Sequence, residues 1–571
     1  MIRYKIYFRQ FEQHYVNVEM HFSIKKEGEV QLYLPVWTPG SYMVREYARN
    51  LDQLRVVDVE GDVVQVSKVN KNHWVFHSKG GDSYTVTYRL YAYELTVRTN
   101  FVDSEQAMLN GAPTFLAVKN YEHLIHRVNI VPNDHWEVIS TSMPMVNGNR
   151  WVREATCYDE LVDSPIQIGN HEVVEFHAGG IDHELALIGP SNIDIEKTLQ
   201  DLIAIVEEEV KLFGQKHPCD DYLFILHHTE NTYGGLEHLA SSLNMVPRWN
   251  YQPREKYLQT ISLLSHEYFH LWNGKRIRPA SLGPFDYSQE NYSSLLWAIE
   301  GVTSFYDDYF VYLAGVCSEE EYLNIVAKNI ERVLNTPGDT VQSLTEASFD
   351  AWIKYYRSNE NSHNTQVSYY VKGAVVVLVL NILIITKSKG KKSFNDVMRA
   401  LYQLYLSDPS NGYTETDLFR VFEEVNGWSL HEFYEQHING VEPVDIFKYL
   451  SYAGLDLIEK VEHSLGWTLI EKGDRFLISK IEANSSIDLA GLNVHDEVIA
   501  IDDFRMNSSW KSFLHKKGVG DKFSVIVSRA GRIMTFEVAY IEFGKKSYSI
   551  EKIKHLTEEQ LIVQKKLLPK K

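Results

Sequence analysis

The spacing of apolar residues changes twice along this chain, near residues 185 and 455, so one repeating architecture cannot account for all 571 residues. Before the first change, segments such as Val30–Val36 and Tyr84–Tyr91 alternate apolar with polar residues and are rich in Val, Thr and Tyr. Turn clusters at Glu60-Gly-Asp and Lys79-Gly-Gly-Asp separate them. This pattern predicts an antiparallel, sandwich-like β domain over residues 1–172. Beyond it, Ile193–Phe213 is apolar at helical spacing, and the run Glu207, Glu208, Glu209 is expected on its solvated face. A short strand is expected at Tyr222–His227, and single helices at Leu258–Trp272 and Ser294–Tyr312. Residues 173–455 thus read as a mixed α/β domain with a helical extension. Residues 456–545 return to short strands broken by Gly and Asp, and 546–571 form an amphipathic tail, a docking or frayed helix. The fold class is multidomain α+β.

Charge and composition narrow the partners. The formal charge of −19 argues against a nucleic-acid partner, which requires a basic face, and against adhesion to anionic membranes. The apolar run Ala374–Ile385 is interrupted by Asn381 and falls short of the ~20 residues of a membrane span. Cys157, Cys219 and Cys317 are too scattered for a disulfide framework or a thiolate metal site. No secretory leader is visible at the N-terminus, and a cytoplasmic location is expected. Nothing in the sequence fixes an oligomeric state.

The chemistry is concentrated in His266-Glu-Tyr-Phe-His270. Residues four apart share a helix face, so two imidazoles can grip one cation. Catalytic zinc takes three protein ligands and leaves a position for water, so a third ligand is needed. Glu300 is the best candidate, because residues 271–299 give room for a second helix to cross the first; Glu290, in a loop-like stretch, competes. Two imidazoles and a carboxylate suit one zinc ion per chain, with cobalt or manganese able to substitute. Glu267 would then accept the proton of the activated water and pass it to a leaving amine. Asp307, two turns after Glu300, is placed to orient a ligand histidine through its second nitrogen.

These residues resemble a known family. His266-Glu-Tyr-Phe-His-Leu-Trp-Asn-Gly-Lys-Arg-Ile-Arg-Pro279 followed by Glu300-Gly-Val-Thr-Ser-Phe-Tyr-Asp-Asp308 is similar to the glycyl aminopeptidases, gluzincin metallopeptidases that carry a PDZ domain. Leu34-Pro-Val-Trp-Thr-Pro-Gly-Ser-Tyr-Met-Val-Arg-Glu-Tyr-Ala-Arg49 looks like the family's N-terminal signature, and Ser368-Tyr-Tyr-Val-Lys-Gly373 like its segment after the metal site. The resemblance implies a thermolysin-like catalytic domain. It implies that Glu237, in Tyr233-Gly-Gly-Leu-Glu-His238 on an edge strand, binds the free α-amine of a peptide, with Gly234 and Gly235 admitting the peptide backbone. His238 stands where related aminopeptidases keep Asn, which loosens the expectation of strict exopeptidase action. Tyr370, rather than Tyr369, would stabilise the developing oxyanion.

The stretch Ala483–Asp502 resembles the middle of a PDZ domain, with His495 in place of a turn glycine. A peptide or C-terminus is the expected partner there, with Leu465-Gly-Trp-Thr-Leu469 as its carboxylate loop and strand. The leading expectation is a zinc aminopeptidase acting on peptides with small first residues, Gly or Ala. The alternatives are a zinc endopeptidase and a PDZ adaptor with a structural zinc site.

Overall fold

The computed structural model describes residues 1–214, 217–514 and 517–570, so Lys571 at the end of the predicted tail lies outside the described residues. They form two compact units, Met1–Ser293 with Tyr306–Cys317 and Met398–Glu415, and Ser294–Phe305 with Ser318–Val397 and Thr416–Lys571.

In the first unit the alternating segments become strands whose inward residues form one core. Ile2–Gln10 buries Ile2, Tyr4, Ile6 and Phe8, and Tyr15–Ile24 buries Val16, Val18, Met20, Phe22 and Ile24. An eight-stranded sheet and two four-stranded sheets make up this β-rich region. One pairing departs from the antiparallel expectation: Ile2–Gln10 runs parallel to His126–Val131. The long connection between the two strands makes a parallel neighbour possible, where a hairpin could not.

A five-stranded sheet follows, in the order Glu172–Ala178, Ile181–Ile188, Asp221–Thr229, Ser241–Pro247, Gly234–Glu237. Its middle strand, Asp221–Thr229, is buried at every position after the first, as a strand covered on both faces must be. The preceding helix, Ile195–Phe213, starts where Asp194 accepts from the Lys197 backbone N–H and stops at Gly214, whose φ of 59° suits a left-handed cap. The helix Arg254–Phe269 lies against the strands Gly234–Glu237 and Ser241–Pro247. It ends three residues earlier than the predicted Trp272. Leu271 and Trp272 donate to the carbonyls of Tyr268 and Phe269, so the last turn tightens and the chain leaves the helix immediately after His270.

The second unit is built around Val371–Lys387, apolar on every side and buried over most of its length, as expected for a helix with neighbours all round. Glu319–Leu334 opens with a reciprocal capping box between Ser318 and Glu321. The C-terminal β-sheet domain orders its strands Trp467–Lys472, Arg475–Ile481, Glu497–Ile501, Lys522–Arg529 and Arg532–Ala539 around Ile478, Val498, Val525, Val527 and Val538. His495 holds the left-handed conformation (φ 74°) that a glycine would adopt more easily. The tail residues Glu558–Leu567 form a helix that docks through Val563 and Leu567. No helix among the described residues is long and apolar enough to cross a membrane.

Candidate active site

The helix Arg254–Phe269 carries His266 in its last turn and is capped by His270. His270 Nδ1 lies 2.7 Å from the carbonyl oxygen of Asn273. A carbonyl only accepts, so Nδ1 carries the proton. His266 Nδ1 lies 2.8 Å from Asp307 Oδ2, which fixes the same tautomer. Burial pushes the Asp307 carboxyl up, and the bond to His266 opposes that shift. In the neutral rings both Nε2 atoms are then acceptors, and they stand 3.1 Å apart. Two facing lone pairs repel each other unless a cation lies between them. Zinc, with imidazole distances of about 2.0–2.1 Å, fits that demand.

Two sets of ligand atoms lie within 4.8 Å of one another at this helix: His266, His270 and Glu300, buried but for a half-buried His266, and the wholly buried Glu237, Glu267 and His270. A third set, Asp58, Glu60 and Asp62, is largely exposed and remote in sequence from these motifs. Glu290 belongs to none of them.

Glu237 and Glu267 are nearly inaccessible, at 7% and 4% exposure. The short strand Gly234–Glu237 is the sheet's outer edge, pairing with Ser241–Pro247 alone among the described residues, as was expected of it. Its other edge can add an extended peptide. A Cβ on Gly235 would come 2.0 Å from Glu267 Oε1, so the strand approaches the helix here as closely as a bare backbone allows. Gly234, with φ 147°, has open space around it. Gly40, in the N-terminal Trp-Thr-Pro-Gly motif, has φ 85°, and a Cβ there would lie 2.6 Å from Glu237 Oε2. The motif is held in place by Trp37, whose indole donates to the Asp286 carbonyl at 2.8 Å.

In the second unit, the predicted helix Ser294–Tyr312 instead begins with a π-helical turn, Trp297–Gly301, before Val302–Leu313. Such turns often mark functional positions. Glu300 sits on this turn, 2% exposed. A Cβ on Gly301 would lie 2.6 Å from the Cα of Gly373, so two backbones touch here with no side chain between them. Tyr370 caps the start of Val371–Lys387. Burial and then the Glu300 carboxylate raise its phenol well above the ordinary value, so it stays protonated and can donate. Tyr369 stacks beside it with ring centroids 4.8 Å apart and is fully buried.

Several polar residues around the site escaped the sequence reading. Glu209, expected on a solvated face, is fully buried and accepts from Ser265 Oγ at 2.8 Å, directly behind His266. Burial holds its carboxyl well above the usual range. A run of three glutamates spans most of a helical turn, so one of them had to point inwards. His238 and Lys275 both reach Asp163, at 3.0 and 2.8 Å. Burial raises that carboxyl, but Lys275 and His238 outweigh it and hold the group below its ordinary value. Tyr268, inside the motif, bridges His183 and His217 at 3.0 and 2.7 Å. None of these pairs has a spacing that sequence alone would reveal.

Comparison with known proteins agrees with this arrangement. A family model described as the Peptidase M61 N-terminal domain matches residues 3–170, and one described as M61 glycyl aminopeptidase matches residues 259–376. Curated protein sequences give no match. The crystal structure of an aminopeptidase N family protein from Idiomarina loihiensis superposes with a TM-score of 0.93 at 28% identity, covering 98% of this chain and 99% of that one. With both family models in chain order, that likeness over nearly its whole length and a buried His/Glu cluster suited to an ion, the chain belongs to the M61 glycyl aminopeptidase family of zinc metallopeptidases.

Proposed function

We propose that the protein removes single small residues, Gly or Ala, from the free N-termini of peptides, with His266, His270 and Glu300 holding one zinc ion. The observation that carries this reading is the buried Glu237, whose carboxylate shares the site with Glu267 and His270 beside an open sheet edge. A fixed carboxylate there pairs with an α-ammonium and sets the cleaved bond one residue from it. Zinc, when bound, polarises the scissile carbonyl and acidifies a water molecule. Glu267 accepts the proton of that water and delivers it to the departing amine. Tyr370 donates to the carbonyl oxygen as charge develops on it, a contribution of a few kcal/mol, or about 3. Gly234 and Gly235 let the peptide backbone approach the strand. Asp307 holds the His266 ring.

The test is hydrolysis of Gly- and Ala-initiated peptides, free and N-acetylated, with and without a chelator. Cleavage confined to the free peptides and abolished by the chelator is expected. Equal cleavage of the acetylated peptides would instead make the protein an endopeptidase.

A further inference from the structure

Tyr370 stands immediately before Val371–Lys387, so its place depends on the turn that opens this helix. Within that turn the Val371 N–H donates to Ser368 Oγ at 3.3 Å, and the Lys372 N–H to the Ser368 carbonyl at 2.9 Å. Lys372, 4% exposed, holds the second helical position, where the positive end of the helix dipole disfavours a cation. A buried ammonium there must be paired. Asp339 pairs it: Lys372 Nζ lies 2.8 Å from Asp339 Oδ1 and donates to the Asp339 carbonyl at 3.3 Å. Asp339 belongs to the short turn Pro337–Thr340. That turn meets the segment leading to Tyr370 backbone to backbone, since a Cβ on Gly338 would lie 2.5 Å from the Gln366 nitrogen. Beside it, Gln342 Oε1 accepts from the Val367 N–H at 3.0 Å. Residues 335–342 and 364–372 are thus two arms of one bracket, closed on the start of the helix that follows Tyr370.

The C-terminal strands grip each arm through one asparagine. Asn364, in the single turn Ser362–Thr365, donates from Nδ2 to the Ile481 carbonyl and accepts at Oδ1 from the Ala483 N–H, at 2.9 Å each. Asn335, which caps the end of Glu319–Leu334, donates to the Lys546 carbonyl at 2.6 Å and accepts from the Lys546 N–H at 3.0 Å. Ile481 closes the strand Arg475–Ile481, and Lys546 lies in the strand Gly544–Lys552. Each amide therefore satisfies a backbone donor and a backbone acceptor at once, which fixes its orientation as well as its distance. Close to Asn335, Glu331 Oε2 accepts from the Tyr548 N–H at 3.2 Å, so the first arm is held at a second point. Both clamps sit on the arms of the bracket, away from the tyrosine itself.

We propose that Asn364 and Asn335 are positioning residues through which the C-terminal strands hold the Tyr370 phenol in its working place, an inference that rests on the oxyanion role given to Tyr370 above. The two asparagines act through the bracket: Asn364 on the segment that runs into Tyr370, Asn335 on the turn whose Asp339 pins Lys372. Releasing either clamp leaves the arm free to shift, and the phenol shifts with it.

The experiment measures kcat, KM, bound zinc and Tm of the full-length protein with a free-amine Gly peptide as substrate. The variants are Asn364→Ala, Asn335→Ala, Tyr370→Phe and the double variant Asn364→Ala with Tyr370→Phe. A reacting group displaced by about 1 Å costs up to about a hundredfold in rate. Asn364→Ala is therefore expected to lower kcat about tenfold or more, with KM within about twofold and zinc retained. Asn335→Ala, on the other arm, is expected to lower kcat in the same way, and it carries the test should Asn364→Ala fail to fold. The double variant should be no slower than Tyr370→Phe alone, because a misplaced phenol and a missing one forfeit the same donor. A smaller folded fraction would instead multiply with the Tyr370→Phe loss. Unchanged kcat in both asparagine variants, zinc lost in step with activity, or losses that multiply in the double variant would overturn the proposal and leave the role of Tyr370 standing. Full activity in Tyr370→Phe would refute that role itself, and the proposal with it.

Discussion

At Gly235 a methyl group would land 2.0 Å from Glu267 Oε1 and 2.5 Å from its Cγ. The neighbour is a side-chain end rather than backbone, so Gly235→Ala should displace the Glu267 carboxylate without unfolding the sheet. A shift near 1 Å in a reacting group costs up to about a hundredfold in rate. We therefore expect kcat to fall at least about tenfold, with zinc content and Tm nearly unchanged. Gly234→Ala, where no atom crowds the new Cβ, should act on stability more than on kcat through its φ of 147°. Equal kcat losses in the two variants would refute this division. Glu267 itself was legible in the sequence because four-residue spacing on a helix is a local property. Glu209 was not, because which acid of a run faces inwards depends on the neighbouring helix. The Asp163–His238–Lys275 cluster joins residues far apart in the chain, and no period encodes it.

Between elements, the Gly301–Gly373 contact brings two backbones together: a Cβ on Gly373 would lie 2.7 Å from the Cα of Gly301. Backbone cannot swing aside as a side chain can. Gly373→Ala should push the π-helical turn and the helix Val371–Lys387 apart, at a cost of about 1–3 kcal/mol. A lower Tm together with loss of peptidase activity is the expected result, since the turn carries Glu300 and the helix start carries Tyr370. Wild-type activity in a stable Gly373→Ala protein would mean that this spacing is not critical. Helix existence was readable from periodicity, but the π-turn was not. It inserts one residue into a pattern whose apolar stripe continues across it. The early end of Arg254–Phe269 was equally hidden, because the stop lies in tightened hydrogen bonds that no residue type announces.

Over the whole molecule, burial keeps many imidazoles neutral. His126, His183, His217 and His228 are pushed down to about 4 by burial, and His227 to about 3. Unfolded, each would take a proton below about pH 6.5. Their contribution to stability is therefore complete above that pH and is lost as pH falls towards about 4. Among the described residues, five carboxyls raised by burial, Glu209, Asp307, Asp159, Glu184 and Asp221, act in the opposite sense, against eight lowered imidazoles once His73, His171 and His363 are added. Calorimetry should show Tm falling from pH 7 to pH 5, and a flat profile would contradict this account. The three-part succession of strand-rich, mixed and strand-rich regions was visible because the apolar period differs between them. The parallel pairing of Ile2–Gln10 with His126–Val131 was not, since it is a long-range choice of neighbour. The close approach of Gly40 to Glu237 bears on how such a protein can evolve. A gene fragment starting after the N-terminal β region would keep both histidines and Glu267 yet lose Gly40 from beside the Glu237 carboxylate. Recombination could not pass the metal-bearing segment on as a free-standing module with its selectivity intact. If Glu237 holds the amino terminus as proposed, the β region and the peptidase core must be inherited together, and a change in the Trp37–Gly40 turn would retune which amino termini are accepted.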